Sequence, residues 1–375
     1  MSLDCLRTLK RKTWGCYTRR ENFISTLALG SSQFFSLLGR PETKKDESDH
    51  TSSSSKKTTI SIEGIGVDFP HGLNSEDNSI PDKGRVTRSI DHAISQARKM
   101  AGRKKTAPDG VSLFLSVHGS ALTPRRLEPL NTGSQGLLST SEENQIYVNQ
   151  LMDNSITEEI IHCIRSLGAE IKDVVFEPFG VGKAILTPEE EASQVAIIDI
   201  GKRFTDLTMF NQGNINYFNS IQRAGKDIDR AIGKFFEIEL WEAEYLKQEV
   251  GTLNIISTDI ELIKVHSRND KYPETINPAT VARIIRSEVK SILDIIFTNL
   301  VQNRTLPERV VLTGNSSLLE DLITFVEDHY GVQARREGVP SGFSGLAYLL
   351  DEPRYHSSFG LLRYGLEYKK GEKKE

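Results

Sequence analysis

The chain reads as an α/β protein of two domains, and three observations predict it. Its 375 residues suggest two domains or one domain with a large elaboration, and the 37% that are hydrophobic suffice for substantial cores. Strand-like and helix-like periodicities alternate from residue 23 onward. Three apolar runs end on a glycine: "TLAL" at Gly30, "AIIDI" at Gly201 and "VVLT" at Gly314. A glycine after a strand permits the tight turn through which backbone amides approach an anion.

In chain order, "FISTLALGSS" is a strand closed by Gly30, and "TISIEGIGV" alternates as a second strand. The two are expected to pair as an antiparallel hairpin across a polar, low-complexity loop at 41–59, read as disordered. Residues 86–102 place Ile90, Ala93, Ile94 and Ala97 on one helical face, and "VSLFLSV" follows as a buried strand. "SITEEIIHCIRSLG" is a helix whose stripe is Ile156, Ile160, Cys163 and Ile164. His162 and Cys163 adjoin there, but without further ligands in reach Cys163 reads as core packing. "DVVFEP", "VAIIDI" and "LTMFNQGNINYFNSI" supply more strands, the last turning over at 211–214. A helical pair spans "KDIDRAIGKFFEIELWEAEYLKQEVG". A long helix then starts at Asn277 as N-cap with Pro278 at its first position. "RVVLTGNSSLLEDLITFVEDHYG" gives a strand, a glycine turn and a helix.

Composition excludes several classes. Lys and Arg number 47 against 51 Asp and Glu, a net charge of -4, so no global field attracts nucleic acid. The odd and scattered cysteines, Cys5, Cys16 and Cys163, fit neither a disulfide framework nor a zinc site and point to a reducing cytosol. No apolar run approaches the roughly 20 residues of a spanning helix. The start carries Arg7, Lys10, Arg11, Lys12, Arg19 and Arg20 against Asp4, with Leu3, Leu6, Leu9, Trp14 and Tyr17 between them. Such a segment either lies on an anionic membrane surface or is a solvated tail.

The order of the glycine turns, a hairpin after each of the first two and a helix after the third, resembles the actin-like ATPase superfold. That is a ribonuclease H-like, two-domain fold with a nucleotide cleft. Within it, "TPEEE" before the strand "VAIIDI", the stretch "EAEYLK", and the closing run "VPSGFSGLAYLLDEPRYHSSFGLLRYG" are similar to the bacterial cell-division family FtsA. The resemblance implies a first domain at 23–194, with a shortened inserted subdomain near 118–150, and a second at 195–375, preceded by the basic tail 1–22. It further implies a first phosphate turn at Gly30, Ser31 and Ser32 and a second at Gly201, Thr205 and Asp206. Asp199 is expected to orient water around magnesium, Gly225 to pass close to ATP phosphates, Glu244 and Lys247 to flank the ribose, and Gly314 to lie beneath adenine.

The departures are specific. Ala28 stands where the family has an aspartate, and Lys202 and Arg203 stand where it has glycines. The loss of a carboxylate weakens the case for catalysis, so no efficient enzyme is expected. Lys202 and Arg203 admit two readings: cations that neutralise or replace a phosphate, or side chains pointing to solvent from a turn tip.

The implied function is an adaptor that links the FtsZ ring to the cytoplasmic face of the bacterial inner membrane at the division site. It would recruit other divisome proteins and self-associate, with weak or absent ATP binding and hydrolysis. The FtsZ C-terminal tail would meet the helix at 280–299, where Arg283, Arg286 and Lys290 suit an acidic peptide, unless they are simply a solvated face. The alternatives are a nucleotide-free scaffold like the pilus-assembly protein PilM, or a weak ATPase of the same superfold.

Overall fold

The computed structural model describes residues 23–30, 32–44, 57–73, 79–103, 107–108, 110–117, 155–255, 262–265, 274–303 and 306–371. The tail 1–22, Ser31, the 45–56 part of the expected loop and the expected insertion near 118–150 lie outside them.

Thirteen strands are described: β1 (Ile24–Leu29), β2 (Phe34–Lys44), β3 (Lys57–Asp68), β4 (Ser112–Val117), β5 (Glu170–Phe176), β6 (Gln194–Ile200), β7 (Thr205–Asn211), β8 (Asn214–Ile221), β9 (Ile263–Val265), β10 (Glu274–Ile276), β11 (Arg309–Thr313), β12 (Gln333–Arg336) and β13 (Phe343–Gly345). Five of them run in the order β3-β2-β1-β4-β5, and five more as β8-β7-β6-β11-β12. In both sets the first two pairings are antiparallel and the last two parallel. One five-strand plan is therefore built twice.

The first hairpin differs from the expectation. β1 does not pair with β3: its antiparallel partner is β2, and β2 in turn pairs with β3 from Phe34↔Asp68 to Lys44↔Lys57. Residues 41–44 and 57–59, expected in a disordered loop, are thus paired strand. Pro41 is tolerated because β1 stops at Ile24↔Gly39, which leaves β2 an edge strand on that side and needs no donor from position 41. The turn at 211–214 is as expected, with Gln212 and Gly213 both at positive φ (51° and 78°), as a two-residue hairpin turn requires.

The helices are α1 (Lys83–Met100), α2 (Ser155–Ser166), α3 (Glu177–Ile185), α4 (Pro188–Glu191), α5 (Gly225–Phe236), α6 (Leu240–Val250), α7 (Pro278–Gln302), α8 (Leu322–Tyr330) and α9 (His356–Gly371). α1 buries Val86, Ile90, Ala93, Ile94 and Ala97 against β3. It comes so close that a Cβ on Gly64 would stand 1.9 Å from the Ala97 carbonyl. Cys163 is buried among Leu113, Ile160 and Ile164, as core packing requires. α7 starts as expected, the Asn277 side chain accepting from the Ala279 amide at 2.9 Å.

"TPEEE" forms the short α4. Thr187 caps it, Glu190 returns a bond to the Thr187 amide at 3.0 Å, and Arg335 Nε donates to Glu190 at 2.6 Å. Burial opposes the ionisation of Glu190, but Arg335 and the Thr187 amide hold its carboxyl below the usual range. The acidic motif is thereby accounted for as a buried tie between α4 and β12.

The sheets do not divide the chain at one point. β13 extends the first sheet by pairing parallel to β3, and α9 packs on β1 and α3, so residues 343–371 return to the first half. A single boundary at residue 195 does not follow the sheets. One core, including Phe176, Phe179, Val195, Phe210, Val311 and Phe359, takes residues from both. At its centre α3 and α9 cross at Gly180 and Gly360, where a Cβ on Gly360 would lie 1.9 Å from the Gly180 carbonyl. Backbone cannot yield as a flexible side chain can, so Gly360→Ala is expected to cost about 3 kcal/mol. Urea unfolding checks this against Gly371→Ala, whose new methyl would meet nothing within 4 Å.

Candidate functional site

The two halves present equivalent turns. Gly30 donates to Gln33 O at 2.9 Å after β1, and Gly201 donates to Phe204 O at 3.0 Å after β6. Each joins the last residue of one strand to the first of the next, Leu29↔Phe34 and Ile200↔Thr205. Ser32 is half-buried in the first turn, and Ser31 lies outside the described residues. Gln33 is reached from the far end of the chain by Arg354 Nη1, at 3.2 Å. Ala28, next to this turn, is 3% exposed.

The second turn is bonded on every side by the protein itself. Its Gly201 carbonyl accepts from the Gly225 amide at 3.1 Å and from Ser316 Oγ at 3.3 Å. The Lys202 carbonyl accepts from the Lys226 amide at 2.7 Å. These two amides open α5, and a helix start leaves such amides free for an anion unless something accepts from them. Here the turn accepts. The Lys202 ammonium meets both Glu244 carboxylate oxygens, at 3.1 and 3.2 Å. Arg203 is 7% exposed and stands over the Phe204 ring at 5.2 Å. The solvent-pointing reading is therefore overturned: Arg203 is buried, and Lys202 is drawn to α6.

The remaining expected residues cluster around this turn. Lys247 Nζ forms an ion pair with Asp229 at 2.6 Å and donates to the Gly225 carbonyl at 3.2 Å. Burial pushes the Asp229 carboxyl up, and the Lys247 charge opposes that rise. Thr205 Oγ donates to the Arg223 carbonyl at 2.7 Å. Asp199 and Asp206 stand directly opposite each other on β6 and β7. Gly314 has φ 78°, and a Cβ there would lie 2.3 Å from Asp199 Oδ1, so only glycine lets the third turn close on that carboxylate. Gly201, Gly225, Glu244, Lys247, Gly314 and Asp199 are thus brought together, whereas Gly30 and Ser32 belong to the turn of the other sheet.

Sequence reasoning missed Asp229, Ser316 as a bonding partner, and the Gln33–Arg354 contact. Only Asp229 had a signal: it falls four residues after Gly225, on the same helix face.

The expected partner face on α7 is less uniform than its charges suggest. Arg283 is exposed and among the described residues bonds a carbonyl of its own helix, Ala279 O at 3.3 Å. Arg286 donates to Leu253 O at 3.0 Å and covers the Phe325 ring, and Lys290 pairs with Asp294 at 2.7 Å. Glu288, which lies between Arg286 and Lys290 in sequence, is turned to Arg223 at 2.8 Å.

Solved structures of two kinds share this architecture. The chain covers 91% of itself and 98% of a chain in the PilM–PilN type IV pilus biogenesis complex, at TM-score 0.62 and 15% identity. Against MreB5 of Spiroplasma citri bound to AMPPNP it covers 95% of itself and 99% of that chain, at TM-score 0.61 and 14% identity. The fold is actin-like. A family model described as cell division protein FtsA matches residues 196–360, which span the second turn, α5 to α8 and the start of α9. Cell division protein FtsA of Pseudomonas aeruginosa is 26% identical over 352 residues, 82% of this chain and 84% of that protein. The FtsA of Neisseria meningitidis is 24% identical, over 82% of this chain and 73% of its own.

The chain is similar to FtsA.

Despite that similarity, the residues as arranged do not fit an actin-type nucleotide. The amides of Gly225 and Lys226 are taken by the turn, Lys202 occupies Glu244, Lys247 is held by Asp229, and Ser316 binds the carbonyl of Gly201. Among the described residues no group of three His, Cys, Asp or Glu side chains could hold a metal ion, and Ala28 supplies no carboxylate.

Beside the third turn, His356 is 1% exposed between Thr313 Oγ at 2.7 Å and the Gly338 carbonyl at 3.0 Å. A carbonyl only accepts, so Nε2 carries the proton and Nδ1 accepts from Thr313. Burial pushes this imidazole down from 6.5 to about 4. The unfolded chain therefore takes up a proton as pH falls from 6.5 to about 4 while the folded chain does not, so this stability is complete above 6.5 and lost across that window. The loss amounts to roughly 3 kcal/mol. Urea titrations across the window should show it, and His356→Gln should flatten the dependence.

Proposed function

We propose that this FtsA relative is a division adaptor that works without turning over ATP. In this reading it joins the tail of FtsZ to the cytoplasmic membrane face at the division site, recruits other divisome proteins and self-associates. The observation that carries the nucleotide-free part is the dual use of the second turn. Its carbonyls accept from the start of α5, and its Lys202 neutralises Glu244. A phosphate entering there would have to displace two backbone hydrogen bonds and an ion pair.

The α7 face supports the FtsZ part. Arg283 is free of acidic partners among the described residues, Glu288 is neutralised from behind, and an acidic peptide can compete with Asp294 for the half-exposed Lys290. For the membrane part, no described helix is long and apolar enough to cross a bilayer, so attachment would be peripheral. The basic segment 1–22 leads away from Phe23, whose carbonyl accepts from Lys369 at 2.5 Å and whose ring lies under Arg103 at 4.9 Å. Residues 1–20 carry Arg7, Lys10, Arg11, Lys12, Arg19 and Arg20 against Asp4, and basic segments favour anionic lipid.

A pilus-type scaffold is the second reading, favoured by the structural likeness to PilM. A pull-down that recovers inner-membrane pilus components in place of FtsZ would select it.

Calorimetry with ATP and magnesium tests the nucleotide part. The wild-type chain should show no saturable binding at millimolar ATP, whereas Ala28→Asp combined with Lys202→Gly and Arg203→Gly should bind at least about tenfold more tightly. Micromolar binding by the wild type would sink the nucleotide-free reading. For the partner, an FtsZ tail peptide should bind with affinity that falls with salt and drops about fivefold in Arg283→Glu. Equal binding by wild type and variant would remove the α7 face from the proposal.

A further inference from the structure

We propose a second ligand site, a pocket for a phosphomonoester at the junction of β3 and α1, separate from the cleft. A cavity of about 400 Å³ opens there, lined by Asp68, His71, Arg85, Arg88, Ser89 and His92. Arg85, Arg88, Ser89 and His92 follow the spacing i, i+3, i+4, i+7 and so share one face of α1. The core uses a different face, through Val86, Ile90, Ala93, Ile94 and Ala97. Asp68 ends β3, and His71 comes from the turn after it. Gly72 seats that turn: φ is 93°, and a Cβ would stand 2.4 Å from the Asp82 carbonyl, so only glycine lets the turn lie against the start of α1.

Charge decides the class of ligand. Both oxygens of Asp68 are engaged, one by the Phe69 amide at 2.7 Å and the other by His92 Nδ1 at 3.1 Å. Arg85 shares its Nε with Asp82 at 3.3 Å. Arg88 makes no ion pair among the described residues, and its guanidinium folds over the first turn of α1, within 3.7 Å of where a Gly84 Cβ would be. Arg85 and Arg88 thus stand against Asp82 and Asp68, and Arg88 is the guanidinium that neither carboxylate has taken. Guanidinium forks match phosphate oxygens in pairs, and the His71 and His92 rings and the Ser89 hydroxyl line the same cavity. Ser89 is 2% exposed, so its hydroxyl belongs to the pocket floor and not to open solvent. The volume exceeds that of a bare phosphate and leaves room for the esterified group. Phe69, 57% exposed and tilted against the His71 ring at 6.2 Å, offers that group an apolar contact.

Phenyl phosphate is the soluble probe, and phosphatidic acid in phosphatidylcholine vesicles presents the same headgroup from a lipid. Calorimetry of the full chain should show saturable binding of phenyl phosphate that weakens about tenfold or more in Arg88→Gln and also falls in Arg85→Gln. Both side chains are exposed, so thermal melts should match wild type. Nuclear magnetic resonance should show the ring signals of His71 and His92 shifting with the probe, which a merely structural role for the arginines would not produce. If phosphatidic acid vesicles displace phenyl phosphate from the wild type and retain Arg88→Gln less well, the ligand is a lipid headgroup. If only the soluble ester binds, it is a soluble phosphomonoester. Absence of saturable binding by either probe, or binding unchanged in both arginine variants, overturns the proposal.

Discussion

Everything in this molecule hangs on the crossing of α3 and α9 at Gly180 and Gly360. Two backbones meet there without a side chain between them, and the contact ties together the distant parts of the chain. α3 leads out of β5 and carries Gly182, where a Cβ would stand 2.4 Å from the Phe210 ring of β7, so the same short helix presses against the second sheet. α9 returns from that sheet to lie on β1, and Arg354, just ahead of it, bonds the first turn through Gln33. Two copies of one sheet plan are thus fastened by glycines where close approach leaves no other choice. Packing this dense transmits displacement instead of absorbing it.

The cleft shows how a binding fold can be reused. In such a fold a glycine turn and a helix start face a ligand and leave their amides for it. Here the two are bonded to each other, and a lysine at the turn finds a glutamate on α6. A ligand's work of joining the elements is carried out by the chain. Lys247 and Asp229 contribute a second ion pair deeper in, with Asp229 1% exposed. A buried carboxylate of that kind is costly unless its cation stays, which keeps Lys247 committed. The elements of the clamp are therefore joined by the chain's own bonds.

Much of the plan was legible in advance. The apolar stripes of α1 and α2, the turn at 211–214, the cap of α7 at Asn277 and the three strand-ending glycines follow from local periodicity and turn chemistry. β2 escaped because its second half, "GRPETK", is polar and holds a proline, and both features argue against strand unless the neighbouring strand has already ended. The Glu190–Arg335 tie escaped because its partners lie 145 residues apart. No window on the sequence contains both.

Sequence alone determined that Ala28 precedes the first turn and that Lys202 and Arg203 follow the glycine of the second. It also determined the helices α1, α2 and α7 and most of the strands, β2 excepted, since those depend on neighbours a few residues away. Tertiary structure decided where the two cations go. One is buried over Phe204 and the other is paired with Glu244, and neither destination can be read from the turn itself. The physical reason is that burial and electrostatics depend on distance in space. Only the folding of α5 and α6 against β6 brings Glu244 within 3.2 Å of a lysine 42 residues before it.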